Sequence, residues 1–344
     1  MSAHRAHVVG PVCLDLVFSG LTSPPHLGAE VWASSLGVSP GGVANVAVAL
    51  ARLGLDVTLS AVFADDAFGH YLWSSLQDEG VDLAYSVSAG GWSTPVTSSV
   101  ALDGERSMVT YAEAPPVNVL DLLPTGYHTD ALVISLADAD AAWLSILHQV
   151  APLVFADVAW EDDEHSKALL SRLAAVDVFM PNAAEALACS RCATVPEAAA
   201  RLSNFGPLVV VKNGESGSLA MCPGALMATE ARAVPVQALD TTGAGDVFDA
   251  GFIYATLAGW PMVERLRFAN LCGAESVKLI GGSLAAPCWR DLAASYSTMT
   301  DPALRRSYQF LDTALADAPA RRPCQRSVPG IKPPYVRGGT ASKS

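Results

Sequence analysis

The sequence predicts an α/β protein: a mainly parallel central sheet with helices on both faces, and a β-hairpin set apart from it. Three observations carry this prediction. Short apolar runs at 131–135, 153–157, 176–180 and 208–212 alternate with helical stretches, the rhythm of parallel strands joined by crossover helices. Residues 92–112 alternate polar and apolar side chains (Thr94, Val96, Ser98, Val100, then Met108 and Thr110) around Asp103 and Gly104, which is the pattern of a hairpin. Third, the stretch from Asp240 through Gly243, Ala244, Gly245 and Asp246 to Phe252 follows an extended run at 234–239. It opens an apolar helical pattern (Val247, Phe248, Gly251, Tyr254, Leu257) that Gly259 stops, a strand-to-helix junction of the kind at which parallel sheets bind ligands.

Composition bounds the function. At 344 residues, 51% hydrophobic and 16% charged, the chain has material for a large core and is not a disordered polymer. No run of about 18 apolar residues is present to span a bilayer, and Asp15 interrupts the only apolar stretch near the N-terminus, so neither a membrane partner nor a signal peptide is expected. A net charge of −13 disfavours a nucleic-acid partner. The expectation is a cytoplasmic protein. Residues 318–344 hold Arg321, Arg322, Arg326, Lys332, Arg337 and Lys343 with no acidic side chain, and several prolines; they read as a basic, disordered tail. Seven cysteines, an odd number, read as free thiols. Cys189 and Cys192 have ligand-like spacing, but no histidine pair completes a zinc set.

Taken in order, residues 7–18 read as one buried strand in which Asp15 is the exception; an acid there meets solvent or holds hydroxyl groups in a cleft. Residues 19–40 are rich in Gly, Pro and Ser, with a strand at 30–33. Gly41 and Gly42 then precede Asn45 and a helix with Val43, Val46, Ala47, Leu50 and Leu53 on one face and Gly54 at its end. A strand at 57–62 leads to Asp66, the N-cap of a helix that ends near Gly80. Beyond the hairpin, Asn182 and Glu185 lie one turn apart at the end of the 176–180 strand, where they form a capping box or a ligand pair. Residues 209–217, with Lys212, Gly214 and Gly217, read as a strand and glycine turn. Residues 262–280 read as a helix carrying Asn270, followed by the loop Gly281-Gly282-Ser283. A last helix at 301–315 has Asp301 as N-cap and Pro302 at its first position.

The junction at 243–246 carries the chemistry. The first N–H groups of a helix have no partner within it, and Gly243, Ala244 and Gly245 present no bulk to keep an anion from them. Asp246 stands beside that cradle, where phosphoryl transfer places a base. A plainer account is a tight turn whose aspartates favour a helix N-terminus.

As a whole, residues 240–252 closely resemble the C-terminal signature of the ribokinase-like, or PfkB, carbohydrate kinases. Gly41, Gly42 and Asn45, followed by Ala-Arg-Leu-Gly at 51–54, resemble the N-terminal signature, and the segment 64–69 resembles Gly-x-Asp-x-Phe-Gly with Ala64 in the first position. The resemblance spans roughly residues 6–300. It implies a ribokinase-like three-layer α/β/α sandwich with a small β-sheet lid: core at 1–18, 39–91 and 113–317, lid at 19–38 and 92–112. It implies transfer of the γ-phosphate of ATP to a hydroxyl of a small sugar or sugar derivative. By the family's roles, Asp246 is the base and Gly243, Ala244 and Gly245 are the anion hole. Asp15, Gly41, Gly42 and Asn45 hold the sugar, while Asn182 and Glu185 organise Mg2+ through water. Lys212, Gly214, Gly217 and Asn270 lie at the nucleotide. Asp240 and Thr242 fall where many members bind a monovalent cation, although Ala285 stands where many cation-dependent members carry serine. A homodimer through the lid edges is implied as well. A nucleoside kinase of the same fold and a non-catalytic sugar sensor are the alternatives.

Overall fold

A computed structural model describes residues 4–21, 23–102, 105–123, 126–136, 141–158 and 169–318. Its strands are β1 (Arg5–Val9), β2 (Val12–Ser19), β3 (Ser35–Gly42), β4 (Asp56–Ser60), β5 (Val62–Ala64), β6 (Val87–Ala89), β7 (Val96–Leu102), β8 (Glu105–Tyr111), β9 (Ala131–Ser135), β10 (Val154–Asp157), β11 (Val178–Phe179), β12 (Leu208–Lys212), β13 (Ser218–Met221) and β14 (Thr229–Ala231). Eight of them form one sheet in the order β14-β13-β12-β11-β10-β9-β1-β4. It is parallel from β4 to β12 and ends in the antiparallel β12–β13–β14 edge.

Both faces of that sheet are covered. Alternate residues of β9 and β12 go to opposite sides, as a strand dictates. Ala131, Val133 and Val210 join a core that includes the helices Ala44–Leu53, Ala244–Leu257 and Met262–Ser276. Leu132, Ile134, Val209 and Val211 join a second core with Leu173, Ala198 and Leu202. Burial on both faces makes these strands read as unbroken apolar runs, which is why the expected strands 131–135 and 208–212 coincide with β9 and β12. In the first core, a Cβ on Gly251 would sit 3.0 Å from Ala269 Cα, so glycine is what lets the helices Ala244–Leu257 and Met262–Ser276 approach closely.

A second, four-stranded sheet has the order β3-β2-β7-β8. The run 7–18 is therefore not one strand. It breaks at Gly10 and Pro11, because proline has no N–H to donate to a ladder, and the chain passes from β1 of the large sheet to β2 of the small one. Its apolar pattern does not change at the break, since both strands are buried. The strand expected at 30–33 is absent, with Trp32 exposed, and the pairing segment is β3 instead. The strand expected at 57–62 stops at Ser60 and resumes as β5. The hairpin forms as β7 and β8; its turn, Asp103 and Gly104, lies outside the described residues. Asp66 caps the helix Ala67–Asp78 through Gly69 N–H and also accepts from the backbone N–H and hydroxyl of Thr94, tying the start of β7 to the core.

The helix expected at 262–280 ends at Ser276. The last helix is two, Pro302–Ser307 and Leu311–Ala316, with Asp301 capping the first as expected. The basic tail from residue 319 lies outside the described residues. Among those described, no helix is long and apolar enough to cross a membrane.

Candidate active site

The helix Ala244–Leu257 starts at Gly243, whose φ of +71° is a conformation that glycine adopts without strain. Of the three residues expected to form the anion hole, Ala244 donates its amide to Thr241 O at 3.2 Å and closes the turn. Among the described residues, no hydrogen bond reaches the N–H groups of Gly243, Gly245 or Asp246. These donors have no partner in the helix that follows.

Asp246 is half-buried beside them, and its Oδ2 accepts from Asn45 Nδ2 at 2.9 Å. Burial pushes its carboxyl up to about 7. The Asp157 carboxylate adds to the rise, while Lys212 and the Asn45 hydrogen bond oppose it. Asp246 thus stands between ionised and neutral near physiological pH, the condition suited to a general base.

On the side of the small sheet, Asp15 is buried and shares a cross-strand row with Ser39, Thr97 and Thr110. A Cβ on Gly41 would lie 2.3 Å from the Asp15 carboxyl carbon, so the carboxylate lies over bare backbone. Gly42 has φ +64° and no room for a Cβ, which would meet Pro11 O at 2.4 Å. Asn45 Oδ1 and Ser39 Oγ are buried without a partner. A Cβ on Gly282 would approach Ser39 Oγ, Asn45 Oδ1 and Asp15 Oδ2 at 3.0, 3.4 and 3.7 Å. Asp15, Gly41, Asn45, Gly243 and Asp246 thus come together from both glycine-bearing motifs. Ser39 and Gly282 join them unannounced by the sequence. Ser39 sits in the string Gly37-Val38-Ser39-Pro40-Gly41, but it lies within β3 and not at a strand-to-helix elbow.

Asn182 and Glu185 form a complete capping box: Glu185 N–H donates to Asn182 Oδ1 at 2.9 Å, and Asn182 N–H to Glu185 Oε2 at 2.8 Å. Glu185 is buried, and burial with the nearby Asp157 pushes its carboxyl up to about 7. Asp157, at the end of β10, and Asp249, three residues past Asp246, are further site residues that sequence reasoning missed. A spacing of three from Asp246 on one helix was the available signal for Asp249. Both pair with Lys212. Acids outnumber the one ammonium they surround, and Asp249 Oδ1 is buried without a partner. Beside this cluster, the Glu185 carboxylate and the Asn182 side-chain carbonyl are hard oxygen donors that fit a hydrated Mg2+ brought in with a nucleotide.

Asn270 and Gly217, both expected at the nucleotide, lie against the segment at residues 231–232. The Asn270 amide donates to Ala231 O and Arg232 O at 3.2 and 3.1 Å. Gly217, at φ +94°, lies so close to the same segment that a Cβ would meet Ala231 O at 2.1 Å. Gly214 is exposed in the turn between β12 and β13. Asp240 accepts from Thr242 N–H at 2.8 Å and Gly281 N–H at 3.0 Å, bracing the two glycine loops against each other. Thr242 Oγ1 is buried with no partner.

Residues 8–288 match the family model described as pfkB family carbohydrate kinase. A fructokinase of Klebsiella pneumoniae is 30% identical over 284 residues, 74% of this chain and 91% of that protein. A 5-dehydro-2-deoxygluconokinase of Clostridium tetani (strain Massachusetts / E88) is 27% identical over 307 residues, 81% of this chain and 88% of that protein. Among solved structures, a Vibrio cholerae O395 fructokinase double mutant in its fructose, ADP and potassium ion bound form superposes with a TM-score of 0.71 at 24% identity. That match covers 85% of this chain and 98% of the other. The chain belongs to the pfkB family of carbohydrate kinases, on the ribokinase-like fold, and is a phosphotransferase with an alcohol group as acceptor.

Proposed function

We propose that the protein transfers the γ-phosphate of ATP to a hydroxyl of a small sugar or sugar derivative, with Asp246 as general base. One observation carries this reading: the Asp246 carboxylate, held by Asn45, lies next to the unpartnered amides of Gly243 and Gly245. Asp15 and Asn45 bind the acceptor and turn one hydroxyl toward Asp246. Asp246 takes the hydroxyl proton as the oxygen attacks, and the amides around 243–245 take up negative charge on the phosphoryl group. When bound, Mg-ATP supplies the phosphoryl group and the positive charge that neutralises it; Glu185 and Asn182 would hold the metal through water. Asp240 and Thr242 would accept a monovalent cation, for which the unpartnered Thr242 hydroxyl is the support.

A sugar is favoured over a nucleoside because the row Ser39, Asp15, Thr97 and Thr110 offers hydroxyls and a carboxylate. The test is Asp246→Asn, assayed by ATP turnover against a panel of pentoses, hexoses, sugar acids and nucleosides. A general base contributes roughly 10²- to 10⁴-fold, so kcat should fall by about that factor while acceptor binding persists. Turnover close to wild type would remove Asp246 from this role.

A further inference from the structure

The acid cluster behind Asp246 contains a cation of the protein's own. Lys212 ends β12, and its Nζ lies 3.0 Å from Asp157 Oδ2 and 2.8 Å from Asp249 Oδ2. Only 11% of its side chain is exposed, so the ammonium is a fixed part of the wall and not a mobile surface charge. Carboxylate oxygens of Asp157, Asp246 and Asp249 all lie within 4.8 Å of one another, a spacing at which such oxygens can share one divalent ion. Two of these three carboxylates contact the lysine instead. A Cβ on Gly245 would lie 3.5 Å from Lys212 Nζ, which puts the ammonium against the amide cradle. Asp157, Asp15, Glu185 and Asp249 all act on Asp246 as negative charges, against which Lys212 acts as a positive one. Asp249 Oδ1, buried and unpartnered, leaves the cluster with an acceptor to spare.

We propose that Lys212 is a tethered counter-ion: between Asp157 and Asp249 its ammonium fills the place a divalent cation would otherwise take, and it positions Asp246 without touching the acceptor. This rests on the reading of Asp246 as base. A charge carried on a side chain cannot dissociate, so the cluster stays neutralised whatever the metal concentration. The divalent ion that accompanies ATP is then needed for the nucleotide alone.

The first test uses Lys212→Met, close in volume and uncharged, with Mn2+ as the probe and no nucleotide present. Without the ammonium, Asp157, Asp246 and Asp249 become a cation site. Mn2+ should therefore raise the Tm of the variant more than that of the wild type, and spectroscopic titration should find one more bound ion per chain. Equal responses of variant and wild type would overturn the proposal.

The second test uses Lys212→Met/Asp249→Asn, which removes one charge of each sign and so relieves the burial of unpaired carboxylates. If Lys212 positions Asp246, stability returns but kcat stays down roughly 100-fold, with the KM values for ATP and acceptor little changed. Wild-type kcat in the double variant would mean that the lysine only neutralises Asp249, and would overturn the proposal. Failure of the base reading itself shows elsewhere, as turnover surviving in Asp246→Asn. The Mn2+ response is read without any turnover.

Discussion

Asn45 and Asp246, 201 residues apart in the chain, are joined by a 2.9 Å hydrogen bond from the Asn45 amide to the Asp246 carboxylate. The contact links the first residues of two helices, Ala44–Leu53 and Ala244–Leu257, which also pack side by side. It explains why the second helix opens on glycine: a Cβ at Gly243 would sit 3.1 Å from the Asn45 side-chain carbon, and its φ is positive as well. The two glycine-bearing motifs therefore share one polar centre. The donor to the Asp246 carboxylate is the same side chain whose Oδ1 remains buried and unpartnered.

Asn45→Ala removes that donor. A hydrogen bond to the ionised carboxylate holds its pKa down, so in the variant the Asp246 carboxyl is harder to ionise and, as the proposed base, less well aimed. Expected are a kcat lower by about 10-fold or more and an acid limb of the pH–rate profile displaced to higher pH. Profiles that superpose on the wild type would show that the bond does not act on catalysis.

In the proposed role of base, Asp246 must be ionised to accept a proton, and its carboxyl is pushed up to about 7, first by burial. The acceptor kcat/KM should therefore fall about tenfold per pH unit below roughly pH 7 and level off above it. The sign for stability is the reverse. A carboxyl raised above its unfolded value stabilises the fold at pH below that unfolded value, and the contribution is lost as pH rises through about 7. Asp246→Asn should accordingly melt a few degrees higher than wild type at pH 8 and show little difference at pH 4. A wild-type acid limb near the ordinary carboxylate range, with no melting difference at pH 8, would refute both halves.

Local pattern made much of this fold and site legible. The parallel strands announce themselves because burial on both faces leaves only apolar residues, as in Leu208–Lys212, and the glycine motifs because close backbone approach admits no other residue. What depends on distant partners was invisible. Lys212 reads as a strand end, yet its partners Asp249 and Asp157 lie 37 and 55 residues away. Nor does the sequence announce that the Asn270 amide donates to the Ala231 and Arg232 carbonyls, 39 and 38 residues away. The break at Pro11 was hidden because β2 is as apolar as β1, although the two belong to different sheets.

His7, read from the sequence only as part of a strand, yields the remaining prediction. Its ring is fully buried in β1, Nε2 lies 2.8 Å from Ser60 Oγ, and the rings of Tyr127 and Tyr85 lie 4.9 and 6.0 Å away. Nδ1 has no partner, so nothing there compensates a second proton, and burial lowers the pKa from 6.5 to about 4. The unfolded chain then binds a proton that the fold refuses. The stability that a neutral His7 contributes is complete above about pH 6.5 and is lost as pH falls toward 4, in all about 3 kcal/mol. His7→Phe keeps the ring contacts and leaves Ser60 Oγ without its partner. The variant should be less stable than wild type near pH 7.5, yet the gap should close as pH falls from 6.5 to 4, because only the wild type carries this proton linkage. Chemical denaturation of both proteins across that range measures the gap; a difference that stays constant with pH would show that His7 does not titrate against the fold.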